Sequence, residues 1–180
     1  MTRIRILEPD DMTAEQREIY ERFAAEGKPH AGPYWAYIRH PALMQLCSDV
    51  GEWFRDSNLS GRERQLAVLT VIRHWDANYP WAVQVRNSLA AGVTQAEADA
   101  INNRRDPGLT DPREQMAHEV ALQLTGKHRL TEATYNRAIE LFGEEDFVAL
   151  ASVIGFFGMV CTTANSIDAT PPDAAPDRLV

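Results

Sequence analysis

The sequence predicts an all-α protein with a single helical domain. Apolar residues recur at three- and four-residue steps in several segments, and Ser or Thr residues followed three positions later by Glu stand before two of them. No segment shows the alternation of a half-buried strand. A length of 180 residues suits one domain with a sizeable core. We therefore expect a bundle of about eight helices over residues 1–167, followed by a flexible tail at 168–180.

The first two helices are predicted from their start signals. Thr13 is a suitable N-cap for a helix over 14–25. A loop rich in Gly, Pro and aromatic residues follows at 27–37. Pro41 then opens a helix that continues to about residue 54. Its apolar residues share one side, namely Leu43, Leu46, Cys47, Val50, Trp53 and Phe54.

The centre of the chain predicts two consecutive helices separated by a polar break. Ser60 and Glu63 form a capping-box pattern before a helix whose residues 66–72 are almost all apolar. A helix that is apolar all round is normally central to the packing. The break reads HWDAN at 74–78, and the next helix is expected over 79–91.

Four further helices follow from capping residues and helix-stopping glycines. Thr94 caps one, Thr110 or Asp111 caps another, and Thr131 begins a helix that Gly143 ends. The loop between the first two, at 103–111, contains Pro107 and Gly108. The expected helices are 94–102, 112–125, 131–142 and a long last helix at 144–167. The Pro- and Asp-rich tail after it is expected to be disordered or draped over a neighbour.

Composition excludes several classes of function. The formal net charge of −8 argues against nucleic-acid partners, because such proteins need a basic surface. The longest apolar run, 147–161, is shorter than the ~20 residues of a membrane span and is predicted to be a core helix. The first residues have no apolar signal-like stretch, so a cytoplasmic protein is expected. Cys47 and Cys161 are far apart, and we expect both to be buried, reduced thiols.

Several separated segments resemble the carboxymuconolactone decarboxylase and alkyl hydroperoxidase D superfamily. They are GPY at 32–34 with RHP at 39–41, LSGRERQLAVL, HWDANYPWAVQ and TYNRAIELFGEEDFVALASVIGFFGMV. Their order and spacing match from about residue 32 to 165. The resemblance implies an all-α, alkyl hydroperoxidase D-like fold and a homo-oligomer, either a dimer, a trimer or a hexamer.

The same resemblance implies a lost chemistry. Redox members of the family carry the pattern E-x11-C-x2-C-x3-H, and this spacing falls here on Gln65, Ala77, Pro80 and Gln84. None of these side chains supplies a thiolate, so a peroxidase of the usual kind is excluded. Decarboxylase members need a group that delivers a proton near pH 7. Gln65 and Gln84 can hold a substrate by hydrogen bonds but cannot exchange a proton at that pH.

The helix start after the break is the first candidate site. Pro80 suits a first helical turn, Asp76 or Asn78 would cap, and the free N–H groups favour an anion with Gln84 one turn inside. Plain capping without a ligand explains the same residues. His74 and Asp76 form a candidate acid with its orienting partner. The alternative is that Asp76 caps the helix while His74 is exposed or bonded to a carbonyl.

Aromatic and basic residues complete the candidate site. Tyr79 is assigned to the catalytic set and Trp81 to substrate binding, although aromatic residues at such spacing are commonly core. Tyr34 lies in the Gly- and Pro-rich loop, where it could belong to a lid over a ligand or to a subunit contact. Arg39 could clamp a substrate carboxylate or form a surface ion pair.

These residues predict a cofactor-free enzyme, a decarboxylase-like lyase or an isomerase, without redox cysteines. Its small oxygenated substrate, a lactone, a keto acid or an aromatic acid, would be decarboxylated, isomerised or cyclised. No metal is expected, because His30, His118 and His128 lack the spacing of a ligand set. The alternative is a binding or structural protein that kept the fold and lost catalysis. A redox enzyme using Cys47 or Cys161 is a third hypothesis.

Overall fold

The structure is a computed structural model that describes residues 1–171 and 179–180. Eight α-helices and one short 3-10 turn, Pro9–Asp11, account for the regular structure of these residues, which confirms the all-α prediction. The predicted flexible tail falls mainly on 172–178, which lie outside the described residues. The helices are α1 (Ala14–Ala25), α2 (Tyr34–Tyr37), α3 (Pro41–Asp56), α4 (Gly61–His74), α5 (Asn78–Ala90), α6 (Gln95–Asn102), α7 (Pro112–Gly126) and α8 (Glu132–Ser166).

Helix α4 is the centre of the bundle. It packs against α5, α7 and α8, and nearly all of its residues from Gln65 to Ile72 are inaccessible to solvent. Each large apolar side chain buried there contributes about 1.5–3 kcal/mol relative to an exposed one. The predicted capping box is present, because Ser60 Oγ accepts from the Glu63 backbone N–H and the Glu63 carboxylate accepts from the Ser60 N–H.

The start of α5 differs from the prediction. Its N-cap is Ala77, which has extended backbone angles and no side-chain cap, so the expected capping by Asp76 or Asn78 is wrong. Asp76 has a left-handed backbone (φ +46°), and its carboxylate is bound instead by Arg73 and Arg104. Pro80 is buried in the first turn of α5, as expected.

The two predicted C-terminal helices are both present, and α8 comprises them on either side of a kink at Gly143. Gly143 interrupts it with φ 70° and ψ 175°, a conformation that favours glycine. Among the described residues, α8 is the one helix long and apolar enough to cross a membrane by length and composition. It packs against α4 and α7, and a third of its most apolar stretch is buried.

Ion pairs fix α7 against α4. Arg62 of α4 binds Glu97 and Glu114, at 2.9 and 2.6 Å. Glu63 pairs with Arg113 of α7, whose guanidinium group lies 4.4 Å from the centre of the Phe142 ring. These contacts join the N-terminal ends of α4 and α7 and hold in place the space between their later turns.

The described ends of the tail contact the domain. Thr170 bonds to Thr2 near the N-terminus. Leu179 packs against the main apolar core, and the Val180 carbonyl accepts a hydrogen bond from Arg73 at 2.8 Å.

Candidate functional site

Ser88 of α5 contacts the side chain of Gln65 and the backbone of Gln84, the two glutamines at the family positions. The Ser88 hydroxyl lies 3.0 Å from Gln65 Oε1 and donates to the Gln84 carbonyl at 2.7 Å. Ser88 is fully buried, and the Gln84 side chain accepts from Asn87 at 3.2 Å. The polar atoms of this region therefore bind one another across the contact between α4 and α5.

Packing fills the rest of the helix break. Ala77 and Pro80 are buried, and Trp81 is 1% exposed. The Trp81 indole N–H is a buried donor without a hydrogen-bond partner among the described residues. Neither of the two described cavities is lined by Pro80, Trp81 or Gln84.

Tyr79 packs away from the glutamines. Its ring lies so close to Gly32 that a Cβ atom at position 32 would come within 2.1 Å of Tyr79 Cε1. The Trp35 ring contacts it edge-on, with ring centres 5.6 Å apart. Burial raises the pKa of Tyr79. Tyr79 therefore belongs to a packed cluster that joins α2, α5 and the end of α8.

Tyr34 and Arg39 are each engaged elsewhere. Tyr34 meets the Tyr37 ring edge-on at 5.4 Å, and burial raises its pKa. The Arg39 guanidinium donates to the backbone carbonyls of Trp35 and Arg5, so it fastens the N-terminal segment to α2. Neither residue lines either described cavity.

His74 and Asp76 do not form the predicted pair. Asp76 binds Arg73 and Arg104, while His74 lies edge-on to Trp75 with ring centres 6.4 Å apart. The structure does not bring Tyr34, Arg39, His74 and Asp76 together at either described cavity, since His74 alone of the four lines one. The arginines compete successfully for the Asp76 carboxylate because they carry full charges.

A cavity of about 810 Å³ lies on another side of α4. We call it the α4–α7 cavity, since α4, the 103–111 loop, α7 and the first part of α8 enclose it. It reaches solvent at exposed residues of the loop. Its apolar surface consists of Ile101, Pro107, Leu109, Pro112, Met116, Leu122 and Leu141.

Arginines are the most numerous charged residues of this cavity. Four arginines line it (Arg73, Arg104, Arg105 and Arg137), against two carboxylates, Asp106 and Glu119. Asp76 pairs with Arg73 and Arg104, and Glu140 pairs with Arg137. The guanidinium group of Arg105 forms no ion pair with the described residues, so its donors are available.

Two histidines line the same cavity, one from each principal helix. His74 comes from α4 and His118 from α7. Burial lowers the pKa of His118, whereas His74 is an exposed residue whose pKa is lowered by partial desolvation and by nearby Arg104. His118 Nδ1 lies 2.7 Å from the Thr70 hydroxyl. Both rings are therefore predominantly neutral at pH 7 and can accept a proton.

His118 is the site residue that sequence reasoning missed. In the sequence, the spacing of His118 bears only on metal binding. Its partner Thr70 is 48 positions away, so no local pattern links the two residues. One signal was present, because Thr70 is the only residue with a polar side chain in the otherwise apolar run 66–72.

The thiols are inert by position. Cys47 and Cys161 are free and buried, as predicted. Burial raises the pKa of Cys47 and raises that of Cys161 to about 12. A thiolate is scarce at neutral pH under these conditions, which argues against redox work by either residue.

Solved structures similar to this one include two bacterial proteins. An uncharacterized peroxidase-related protein from Ralstonia eutropha JMP134, described as an alkylhydroperoxidase AhpD core, is 19% identical with a TM-score of 0.76, over 96% of this chain and 93% of that one. An uncharacterized peroxidase-related protein from Silicibacter sp. TM1040 is 17% identical with a TM-score of 0.80, over 99% and 96%. No protein-family model matches the sequence, and no curated protein matches it.

These findings define the chain first as an all-α helical protein that follows one known architecture over at least 96% of its length. That architecture is the alkyl hydroperoxidase D-like fold, and the resemblance seen in the sequence is confirmed at this level.

Proposed function

We propose that this chain is a cofactor-free enzyme that binds a small oxygenated carboxylic acid in the α4–α7 cavity. It would catalyse a decarboxylation, an isomerisation or a cyclisation without redox cysteines. The observation that carries this proposal is the joining, in one cavity, of arginine donors, an apolar wall and two neutral imidazoles.

The ligand class follows from the lining. A guanidinium group binds a carboxylate through paired hydrogen bonds, and Arg105 has no competing partner among the described residues. The apolar side chains, such as Leu109 and Met116, suit a short carbon skeleton or an aromatic ring. The cavity volume of about 810 Å³ is within the usual range for small-molecule sites.

The helix break lacks titratable groups at the family positions, which supports placing the site in the α4–α7 cavity. Gln65 and Gln84 hold no titratable proton, and Gln65 is buried at the contact between α4 and α5, where it meets Ser88. Acid–base work near pH 7 needs a titratable group, and the cavity supplies two imidazoles whose lowered pKa leaves them in the proton-accepting form.

Binding of 2-oxobutyrate and benzoate to purified protein, measured by calorimetry, tests the site. Arg105→Gln removes a charge-assisted hydrogen bond worth about 1.5–3 kcal/mol, so we expect affinity to fall at least about tenfold. Arg86→Gln is the matched control, since it removes the same charge from α5 near Tyr79. Equal effects of the two variants, or no binding by the unmodified protein, would contradict the proposal. Tighter binding of inorganic phosphate than of either acid would contradict the ligand class.

A second candidate is a binding or structural protein that lost catalysis. The packed state of the helix break favours it, because all four family positions carry groups without acid–base or thiol function and Gln65 is buried. This candidate predicts carboxylate binding in the cavity without turnover of any small keto acid, lactone or aromatic acid.

A homo-oligomer is part of the proposal. One face of α3 leaves apolar side chains exposed at Leu43, Leu46, Val50 and Trp53, with Leu46 at 60% and Trp53 at 55%. These positions follow one helix face, and such a contiguous apolar surface is typical of protein contacts. A second copy of the chain would cover it, giving a symmetric assembly. Light scattering on the protein and on Leu46→Lys tests this, and an unchanged monomer mass in both would contradict it.

A further inference from the structure

We infer that Thr70 holds His118 in the tautomer that carries its proton on Nδ1, so that Nε2 serves as the proton acceptor for a ligand in the α4–α7 cavity. This inference rests on the proposed function, because it assigns the acid–base step of that same site. It assigns His118 the proton transfer and Thr70 the positioning of His118.

The tautomer follows from counting protons. The Thr70 hydroxyl lies 2.7 Å from the Leu66 carbonyl oxygen and 2.7 Å from His118 Nδ1. A hydroxyl has one proton, and a carbonyl can only accept. Both contacts are hydrogen bonds only if Thr70 donates to Leu66 and His118 Nδ1 donates to Thr70. In the tautomer with its proton on Nε2, Nδ1 could only accept. The single Thr70 proton would then serve one contact, and the other would bring two lone pairs together.

The remaining nitrogen is therefore an acceptor. His118 lines the cavity, and Nε2 has no hydrogen-bond partner among the described residues. Thr70 is 3% exposed, and its own bond to Leu66 lies within α4. The group that sets the tautomer is thus rigid and shielded, as an orienting partner should be.

The charged neighbours of His118 suit transient protonation. Glu119 and Asp106 favour the imidazolium, whereas burial disfavours it more strongly. The other titratable groups that line the cavity are Arg73, His74, Arg104, Arg105 and Arg137. The balance leaves a base that is neutral at rest and can take one proton.

The chemical step is proton removal next to a carbonyl. The C–H bond breaks, its proton forms an N–H bond at His118 Nε2, and the bonding pair enters a C=C bond while the carbonyl oxygen takes the negative charge. Arg105, the lining arginine without an ion pair to the described residues, stabilises that oxyanion. Return of a proton to the same carbon exchanges hydrogen with solvent, and return to another carbon gives an isomer. The step requires neither oxidant nor reductant.

Nitrogen-15 NMR of the histidine rings tests the tautomer without any substrate. We expect His118 to show a protonated Nδ1 and an unprotonated Nε2 at pH 7. Thr70→Ser keeps the hydroxyl and should preserve this pattern, whereas Thr70→Val removes it and should give a mixture of tautomers. An Nε2-protonated His118 in the unmodified protein, or an unchanged pattern in Thr70→Val, would overturn the inference.

Deuterium exchange at the carbon beside the carbonyl of 2-oxobutyrate, followed by proton NMR in heavy water, tests the proton transfer. His118→Gln can still donate to Thr70 but cannot accept a proton at this pH, so exchange should fall at least about 100-fold. Gln84→Ala should exchange at the normal rate. Normal exchange in His118→Gln would overturn the inference and leave the proposed function intact. Absence of both binding and exchange in the unmodified protein would overturn the proposed function, whatever the tautomer.

Discussion

Substitution of Gly32 measures how tightly the Tyr79 ring is packed. Gly32 has φ +65°, and an added Cβ atom would overlap the Tyr79 ring at 2.1 Å. Gly32→Ala therefore combines two costs. The left-handed backbone costs a non-glycine residue about 1–2 kcal/mol. Forcing an atom into a packed ring adds about 1–3 kcal/mol. We expect a loss of about 2–5 kcal/mol in the free energy of unfolding.

Gly27 supplies the matched control. It has φ +66°, and an added Cβ atom would meet nothing within 4 Å. Gly27→Ala should therefore show only the backbone cost of about 1–2 kcal/mol. The free energies come from urea unfolding monitored by circular dichroism, with the slope of the transition checked for constancy. Replacing Tyr79 by Leu in the Gly32→Ala background should recover the steric part. Equal losses in the free energy of unfolding for Gly27→Ala and Gly32→Ala would refute the close contact between Gly32 and the Tyr79 ring. Tyr79 would then not be held in place by packing.

Three further measurements follow from the site. Ser88→Ala leaves buried Gln65 without its partner and should lower the free energy of unfolding in urea by about 1–3 kcal/mol. Deuterium exchange of 2-oxobutyrate should stay normal in this variant, and a loss of exchange would implicate the helix break in the reaction. Native Cys47 and Cys161 should react with a maleimide far more slowly than the unfolded chain, and rapid labelling at pH 7 would contradict their raised pKa. Stability should fall as pH drops below the ordinary histidine value of about 6.5, because the unfolded chain then binds more protons than folded His118 does. His118→Gln should flatten this dependence, and an unchanged profile would contradict the lowered pKa.

The helices were predictable because their signals are local. The capping residues Thr13, Ser60 and Thr94 begin α1, α4 and α6 as expected, since a cap bonds to backbone within three residues. The apolar run of α4 likewise indicated its central place in the core. Gly143 interrupts α8 at the position where the prediction ended one helix and began the next.

The candidate site was less predictable because it depends on contacts between distant segments. Asp76 was expected to cap α5, but Arg104, 28 residues later, binds its carboxylate. Thr70 and His118 meet only when α7 packs on α4. The family spacing predicts a site at Gln65 and Gln84, but neither residue lines a described cavity.

A crystal soaked with 2-oxobutyrate tests most directly whether the ligand binds in the α4–α7 cavity or at the helix break. We predict density for the acid in the cavity, with its carboxylate on an arginine such as Arg105 and its carbon chain beside His118. Density for the acid beside Gln84 and Trp81, with the cavity empty, would contradict the account.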